Sequence, residues 1–79
     1  MRTPNASSAL TPTISLSVNG APRRVPAGRA LRELLRDLGL EGKRIAVELN
    51  GRIVPRSRYA DTELAEGDRL EVVGAVGGG

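Results

Sequence analysis

Alternation of apolar and polar residues predicts a β-hairpin near the start of this chain. The first strand lies over 14–18, where Ile, Leu and Val alternate with two serines. Asn19-Gly20 follows, a pair that favours a type I′ turn because both residues tolerate positive φ. The chain then returns over 21–25 as an antiparallel strand. Pro22 assigns that strand to an edge of the sheet, because proline cannot donate a ladder hydrogen bond.

The same pattern recurs in the second half of the chain. Residues 45–49 alternate in the same way, and Asn50-Gly51 supplies another type I′ turn. Residues 52–55 form the short returning strand, which is basic and ends on a proline like the first one. We therefore expect two hairpins that flank whatever lies between them.

Between the hairpins, four leucines at helical spacing predict one short amphipathic helix. Gly39 stands where a left-handed C′ residue is wanted, and Leu40 can fold back as the hydrophobic contact of that cap. Ala30 stands where Ser or Thr would cap the other end, so we expect that Gly28 caps the helix or that its first turn frays. The leucines, at i, i+3, i+4 and i+7, are Leu31, Leu34, Leu35 and Leu38.

A last strand, rich in β-branched residues, is predicted over 70–76. It follows an irregular stretch over 59–64 and a turn at 66–68. The long connection 56–68 indicates that this strand does not form a tight hairpin with the fourth, but crosses to pair with the first strand at the sheet centre. The prediction is an α+β, ubiquitin-like β-grasp: a mixed sheet of four to five strands with one amphipathic helix packed on one face.

Composition sets the boundaries of this domain. We expect residues 1–12, which are polar and Ser/Thr/Pro-rich, to form a disordered leader. Residues 13–76 form the folded domain, and residues 77–79 form a flexible glycine tail. The 79-residue chain has no run of 18 apolar residues and no signal peptide, so we expect a cytoplasmic protein.

The residue types that are missing exclude most catalytic chemistry. The chain has neither cysteine nor histidine, which excludes disulfides, Cys/His zinc sites, thiolate nucleophiles and a histidine base. The net charge is only +3, and we interpret the paired arginines as a solvated surface. We expect no bound metal or cofactor and no enzyme activity of its own.

The three final glycines leave one distinctive chemical group, the terminal carboxylate. A carboxylate is a poor electrophile, so it must be activated before it can transfer anything. ATP can convert it to an acyl-adenylate, and a sulfur nucleophile on a partner can then displace AMP to leave a thiocarboxylate. Glycine allows such a tail to enter a narrow active site on another protein.

Several motifs together resemble the thiamine-biosynthesis sulfur carrier (ThiS) family over residues 13–79. The resemblance rests most strongly on the stretch Ala-Val-Glu-Leu-Asn-Gly at 46–51 and on the glycine tail. Ala30 departs from the family, where a threonine is common at the helix start. Residues 1–12 are either an extra leader or the result of an upstream start codon chosen in error. The remaining matching segments are 18–20, 34–35, 53–56, 67–68 and 71–73.

This resemblance implies a carrier that other proteins load and unload. By similarity, Gly79 is adenylated with ATP by an E1-like, ThiF-type enzyme, while Gly77 and Gly78 are recognised in the tail. A cysteine desulfurase or other persulfide donor supplies the sulfur, and a ThiG-type thiazole synthase receives it. Neither nucleic acid nor membrane is an expected partner.

A docking surface is predicted beside the tail. In the last strand, Val73 and Ala75 point away from the helix, since they alternate with Leu70 and Val72. We expect Val73, Ala75 and Ala46 to form a patch that binds the activating enzyme.

Three other functions remain open from the sequence. A sibling carrier for molybdopterin or tRNA thiolation shares the fold and tail, although such carriers typically have aromatic strands and this chain has no phenylalanine. A ubiquitin-like modifier joined to protein lysines also ends in glycine. An RNA-binding module of the TGS type is disfavoured, because Tyr59 is the only aromatic residue and the charge is small.

Overall fold

In a computed structural model, which describes residues 12–74, five strands form one mixed sheet in the order β2-β1-β5-β3-β4. One helix covers a single face of it, so the predicted β-grasp architecture is confirmed. The elements, in chain order, are β1 (Thr13–Val18), β2 (Ala21–Pro26), α1 (Leu31–Asp37), β3 (Ile45–Leu49), β4 (Arg52–Val54), a 3₁₀ helix (Arg56–Asp61) and β5 (Arg69–Gly74).

Both hairpins close through the predicted turns. Asn19 and Gly20 have φ of 52° and 85°, and Asn50 and Gly51 have φ of 53° and 86°. Two consecutive positive φ angles are the requirement of a type I′ turn, whose twist matches that of the flanking strands. β2 and β4 consequently form the two edges of the sheet.

The last strand lies at the centre of the sheet, as predicted. β5 pairs in parallel with β1 at Ser17↔Arg69 and Val18↔Leu70. On its other side it pairs antiparallel with all of β3, from Leu49↔Leu70 to Ile45↔Gly74. The two hairpins therefore do not pair with each other, and β5 joins them within the sheet.

The core is a single layer between the helix and the sheet. Leu31, Leu34 and Leu35 of α1 are fully buried, whereas Leu38 is half-buried against the same cluster. The strands and the loop before β5 supply the remaining buried side chains: Leu16, Val25, Val47, Leu64 and Leu70.

The helix ends in a Schellman motif. Gly39, with a φ of 76°, donates to the Arg36 carbonyl at 3.0 Å, and Leu40 donates to the Leu35 carbonyl at 2.8 Å. Leu40 packs on the core beside the last turn. This is the cap predicted from Gly39 and Leu40.

The start of the helix differs from both sequence expectations. Gly28 is not the cap, and the first turn is not frayed: Ala30 itself is the N-cap residue. Its side chain has no acceptor, but its N–H donates to the Glu33 carboxylate at 3.1 Å. The Leu31 N–H donates to the Thr62 carbonyl at 2.7 Å, and Leu64 donates to the Arg29 carbonyl at 2.9 Å. The chain before β5 thus replaces the missing cap.

The 3₁₀ helix at Arg56–Asp61 overlaps the stretch 59–64 that was expected to be irregular. Its residues carry no apolar periodicity, so the pattern could not reveal it. Arg58 N–H donates to the Pro55 carbonyl at 2.8 Å, and the Thr62 hydroxyl donates to the Arg58 carbonyl at 2.6 Å. Tyr59 lies half-buried on this helix against the core.

Replacing Ala30 with serine is expected to stabilise the domain. Ala30 has the extended backbone of an N-cap residue, with φ −85° and ψ 157°, and a serine hydroxyl could accept from the Arg32 or Glu33 N–H. The expected gain is about 1 kcal/mol, which raises Tm by roughly 4–8 °C in a domain of this size. Thermal unfolding of Ala30→Ser measures it. Ala27→Ser adds the same hydroxyl outside the helix and should leave Tm nearly unchanged; a gain equal in both variants would contradict the capping argument.

Truncating a core leucine should nearly unfold the domain. Leu34 is 1% exposed, and Leu34→Ala leaves a cavity at a cost of about 2–5 kcal/mol. A domain is typically stable by only about 0.05–0.15 kcal/mol per residue. Urea unfolding followed by circular dichroism measures the loss. Ile53→Ala is the control, since Ile53 is 70% exposed and should cost less than about 1 kcal/mol.

Candidate functional site

The sheet face opposite the helix carries two of the predicted docking residues side by side. Val73 is 61% exposed, and Ala46 is exposed directly across from it in the β3–β5 register. Directly opposed residues of an antiparallel pair have Cβ atoms about 4.5–5.5 Å apart. Val73 and Ala46 therefore form one continuous apolar surface, as the sequence alternation predicted.

Ile53 extends this surface and was missed in the sequence. It is the most exposed large apolar side chain among residues 12–74, and it lies on β4 opposite Glu48. Because Ala46 lies two residues from Glu48 on β3, Ile53 is its diagonal neighbour on the same face. The Asn50-Gly51 turn fixes this register, so the alternation could have revealed Ile53. We call Ala46, Ile53 and Val73 the outer patch.

Two carboxylates lie beside the outer patch. Glu48 and Glu71 are directly opposite each other in the β3–β5 ladder, and both are exposed. Like charges in this position destabilise a sheet. Within the part of the chain that the structure describes, neither carboxylate has a salt-bridge partner. The outer patch is thus apolar with an acidic border.

The start of β5 is fixed by a buried carboxylate. Asp68, 9% exposed, accepts from the Ala65 N–H at 2.8 Å and from the Asn50 side-chain amide at 3.0 Å. The Asn50 side-chain oxygen accepts from the Arg69 N–H at 2.8 Å. Glu66 accepts from the Ser15 N–H at 2.9 Å. The two carboxylates of this predicted turn therefore hold backbone groups in place.

The helix side carries the most concentrated group of ion pairs. Glu41 accepts from Arg36 at 3.0 Å and from Arg32 at 3.1 Å. The hydrogen bonds from Arg36 and then Arg32 lower the pKa of Glu41, and Glu41 raises the pKa of Arg36. Because the pKa of Glu41 is lowered, its small contribution is present at neutral pH and is lost as the pH falls through that pKa. These exposed pairs lie away from the outer patch.

Residues 12–74 contain neither a side-chain cluster suited to a metal ion nor a helix able to span a membrane. That segment contains no cluster of three or more acidic, histidine or cysteine side chains suited to a metal ion. Its one α-helix has seven residues and is far too short to cross a bilayer. The arginines interpreted as a solvated surface, including Arg23, Arg24 and Arg56, are exposed.

Several predicted site residues lie outside the described residues. They are Ala75 of the expected docking patch and the tail residues Gly77, Gly78 and Gly79, together with the leader up to residue 11. The structure brings β5, which precedes them in the chain, to the centre of the sheet and places the outer patch on its surface.

Comparison with known proteins agrees with this architecture. A thiamine biosynthesis protein (ThiS) from Geobacter metallireducens has a similar crystal structure, with a TM-score of 0.73, 33% identity and coverage of 84% of this chain and 100% of that one. The sulfur carrier protein ThiS of Thermus thermophilus is 39% identical over 62 residues, which are 78% of this chain and 95% of that protein.

A longer relative adds a second kind of match. The thiazole synthase of Paramagnetospirillum magneticum is 41% identical over 66 residues, which are 84% of this chain but only 20% of that enzyme. This chain thus spans about a fifth of the length of the thiazole synthases it matches. The ThiS family model matches residues 16–79, which include all of α1, both Asn-Gly turns and β5. The chain therefore belongs to the ThiS family.

Proposed function

We propose that this chain is a sulfur carrier for thiazole formation in thiamine biosynthesis. The observation that supports this most is its similarity to the Thermus thermophilus sulfur carrier over nearly the whole of that protein. The chain acts as a carrier and supplies no catalytic group, in keeping with its lack of cysteine and histidine. It works in the cytoplasm, where its partners load and unload it.

The sulfur is carried on the carboxyl group of Gly79. The carboxylate attacks ATP in an E1-like, ThiF-type enzyme and releases pyrophosphate to form an acyl-adenylate. A sulfur nucleophile then attacks the carbonyl carbon, and the bond to AMP breaks to leave a thiocarboxylate. Where the sulfur comes from a persulfide on a cysteine desulfurase or similar donor, release of the thiocarboxylate also takes two electrons from a thiol reductant. Gly77 and Gly78 allow the tail to enter the enzyme.

The receiving partner is a thiazole synthase of the ThiG type. The match to one segment of a thiazole synthase supports this pairing, because a fused carrier and its enzyme act together in one chain. In this protein, the outer patch together with Ala75 docks the chain on its partners. Val73 is three residues beyond the buried Leu70, so docking there sets where the glycine tail enters.

The mass of the loaded chain tests the carrier proposal. The purified chain is incubated with a ThiF-type enzyme, MgATP and sodium sulfide. Sulfide as the sulfur source needs no reductant, unlike a persulfide. Intact-mass analysis should show the exchange of one oxygen for one sulfur, and fragmentation should locate it at Gly79. Omission of ATP and deletion of Gly79 should each abolish the change. A chain that instead becomes joined to protein lysines, or that stays unmodified, would contradict the proposal.

A charge in the outer patch should weaken docking. Val73→Asp introduces a carboxylate beside Glu71 and Glu48, which must be desolvated when the patch is covered. We expect the Kd for the activating enzyme to rise about tenfold or more, measured by calorimetry. Thr13→Asp is the matched control, since it makes a similar change on the same face at the start of β1. Equal binding by both variants, with the fold intact, would exclude the outer patch as the docking surface.

A further inference from the structure

The Asn19 side chain makes two hydrogen bonds to the main chain of one residue in the last strand. Its oxygen accepts from the Val72 N–H at 2.7 Å, and its amide nitrogen donates to the Val72 carbonyl at 3.2 Å. The two residues are 53 positions apart in the chain. A type I′ turn requires only that Asn19 tolerate positive φ, so these contacts go beyond the needs of the turn.

The Asn19 side chain replaces a main-chain hydrogen bond that β1 would make to β5 if β1 continued. β1 pairs with β5 only as far as Val18, and the Asn19 N–H then donates to the Leu70 carbonyl at 2.8 Å. In a continuing parallel ladder, the main-chain carbonyl of Asn19 would accept the next hydrogen bond, from the Val72 N–H. The chain folds back at Gly20, and the side-chain amide of Asn19 pairs with Val72 in its place.

This contact is the last one that β5 makes on its β1 side within residues 12–74. Beyond Val72, the described part of β5 pairs with β3 alone, at Ala46↔Val73 and Ile45↔Gly74. Val73 is also the residue of β5 that contributes to the outer patch. Asn19 therefore secures the β1-side edge of β5 at the point where the strand passes the patch, while β3 pairs with the other edge.

We infer that Asn19 is a positioning residue that holds the end of β5 in one direction, so that the tail enters the activating enzyme in register. This inference rests on the proposed carrier function. Asn19 acts through the Val72 peptide and does not touch the reacting carboxylate. Its loss should leave the fold intact and should lower the fraction of molecules whose tail is ready to bind.

The other hairpin provides a matched comparison. Asn50 occupies the same turn position with almost the same φ, and its side chain accepts from the Arg69 N–H at the beginning of β5. Asn19→Gly and Asn50→Gly both preserve the turn, since glycine adopts positive φ freely. Each variant removes the partner of one β5 amide, Val72 or Arg69.

Amide hydrogen exchange followed by NMR measures directly how strongly Asn19 protects the Val72 amide. In Asn19→Gly, the Val72 amide should exchange about tenfold faster relative to core amides, the effect of losing hydrogen bonds of ordinary strength. In Asn50→Gly, the Arg69 amide should accelerate while Val72 does not. Asn19→Asp keeps the acceptor for the Val72 N–H and should retain most of its protection. Unchanged exchange of Val72 in Asn19→Gly would overturn the inference.

The rate of ATP–pyrophosphate exchange catalysed by the ThiF-type enzyme measures how well that enzyme adenylates each variant. The assay is run at a temperature where every variant is folded. For Asn19→Gly we expect kcat/KM to fall about tenfold, mainly through KM, and Asn19→Asp should restore most of it. Asn50→Gly should stay within about twofold of the wild type. If kcat/KM falls in proportion to the loss in Tm in both glycine variants, Asn19 has only a structural role. No turnover with the wild-type chain would instead refute the carrier function, while the exchange of Val72 still reports whether Asn19 holds the strand.

Discussion

The structure depends on the insertion of β5 between two hairpins that do not pair with each other. An isolated hairpin is marginally stable in water, because it has too little apolar surface to bury. β5 joins β1 on one side and β3 on the other, and its buried Leu70 completes the layer under the helix. Asp68, Asn50 and Asn19 then fix the strand along its length with side-chain hydrogen bonds. The same strand leads toward the glycine tail, so the element that completes the core also precedes the residue proposed to carry sulfur.

The two faces of the sheet have separate tasks. The helix face contains the leucines whose burial stabilises the domain, whereas the outer face has an exposed apolar patch bordered by Glu48 and Glu71. Facing carboxylates and exposed aliphatic residues both cost the free protein stability or solubility. They are consistent with the proposal that this surface is covered when a partner docks.

Much of the fold could be predicted because its signals are local. Each Asn-Gly pair specifies its own turn, and the leucines at helical spacing specify one face of α1. The length of the connection before β5 was sufficient to place that strand at the centre. The ThiS family motifs carried the functional assignment, which spacing alone could not have provided.

The features that were missed depend on contacts between distant parts of the chain. The helix start is held by Thr62, some thirty residues away, so Ala30 in isolation suggested a frayed end. The 3₁₀ helix has no periodic pattern to reveal it. The link between Asn19 and Val72 requires the finished sheet, and the sequence indicated only that Asn19 belongs in a turn.

The central position of β5 has a consequence for how the protein is made. Since this strand comes last among the described elements, both hairpins and the helix leave the ribosome before the middle of the sheet exists. A chain whose synthesis stops before β5 lacks the central strand, so no strand pairing joins its two hairpins. Premature termination therefore yields an incomplete polypeptide open to proteolysis, and not a folded domain that merely lacks its tail.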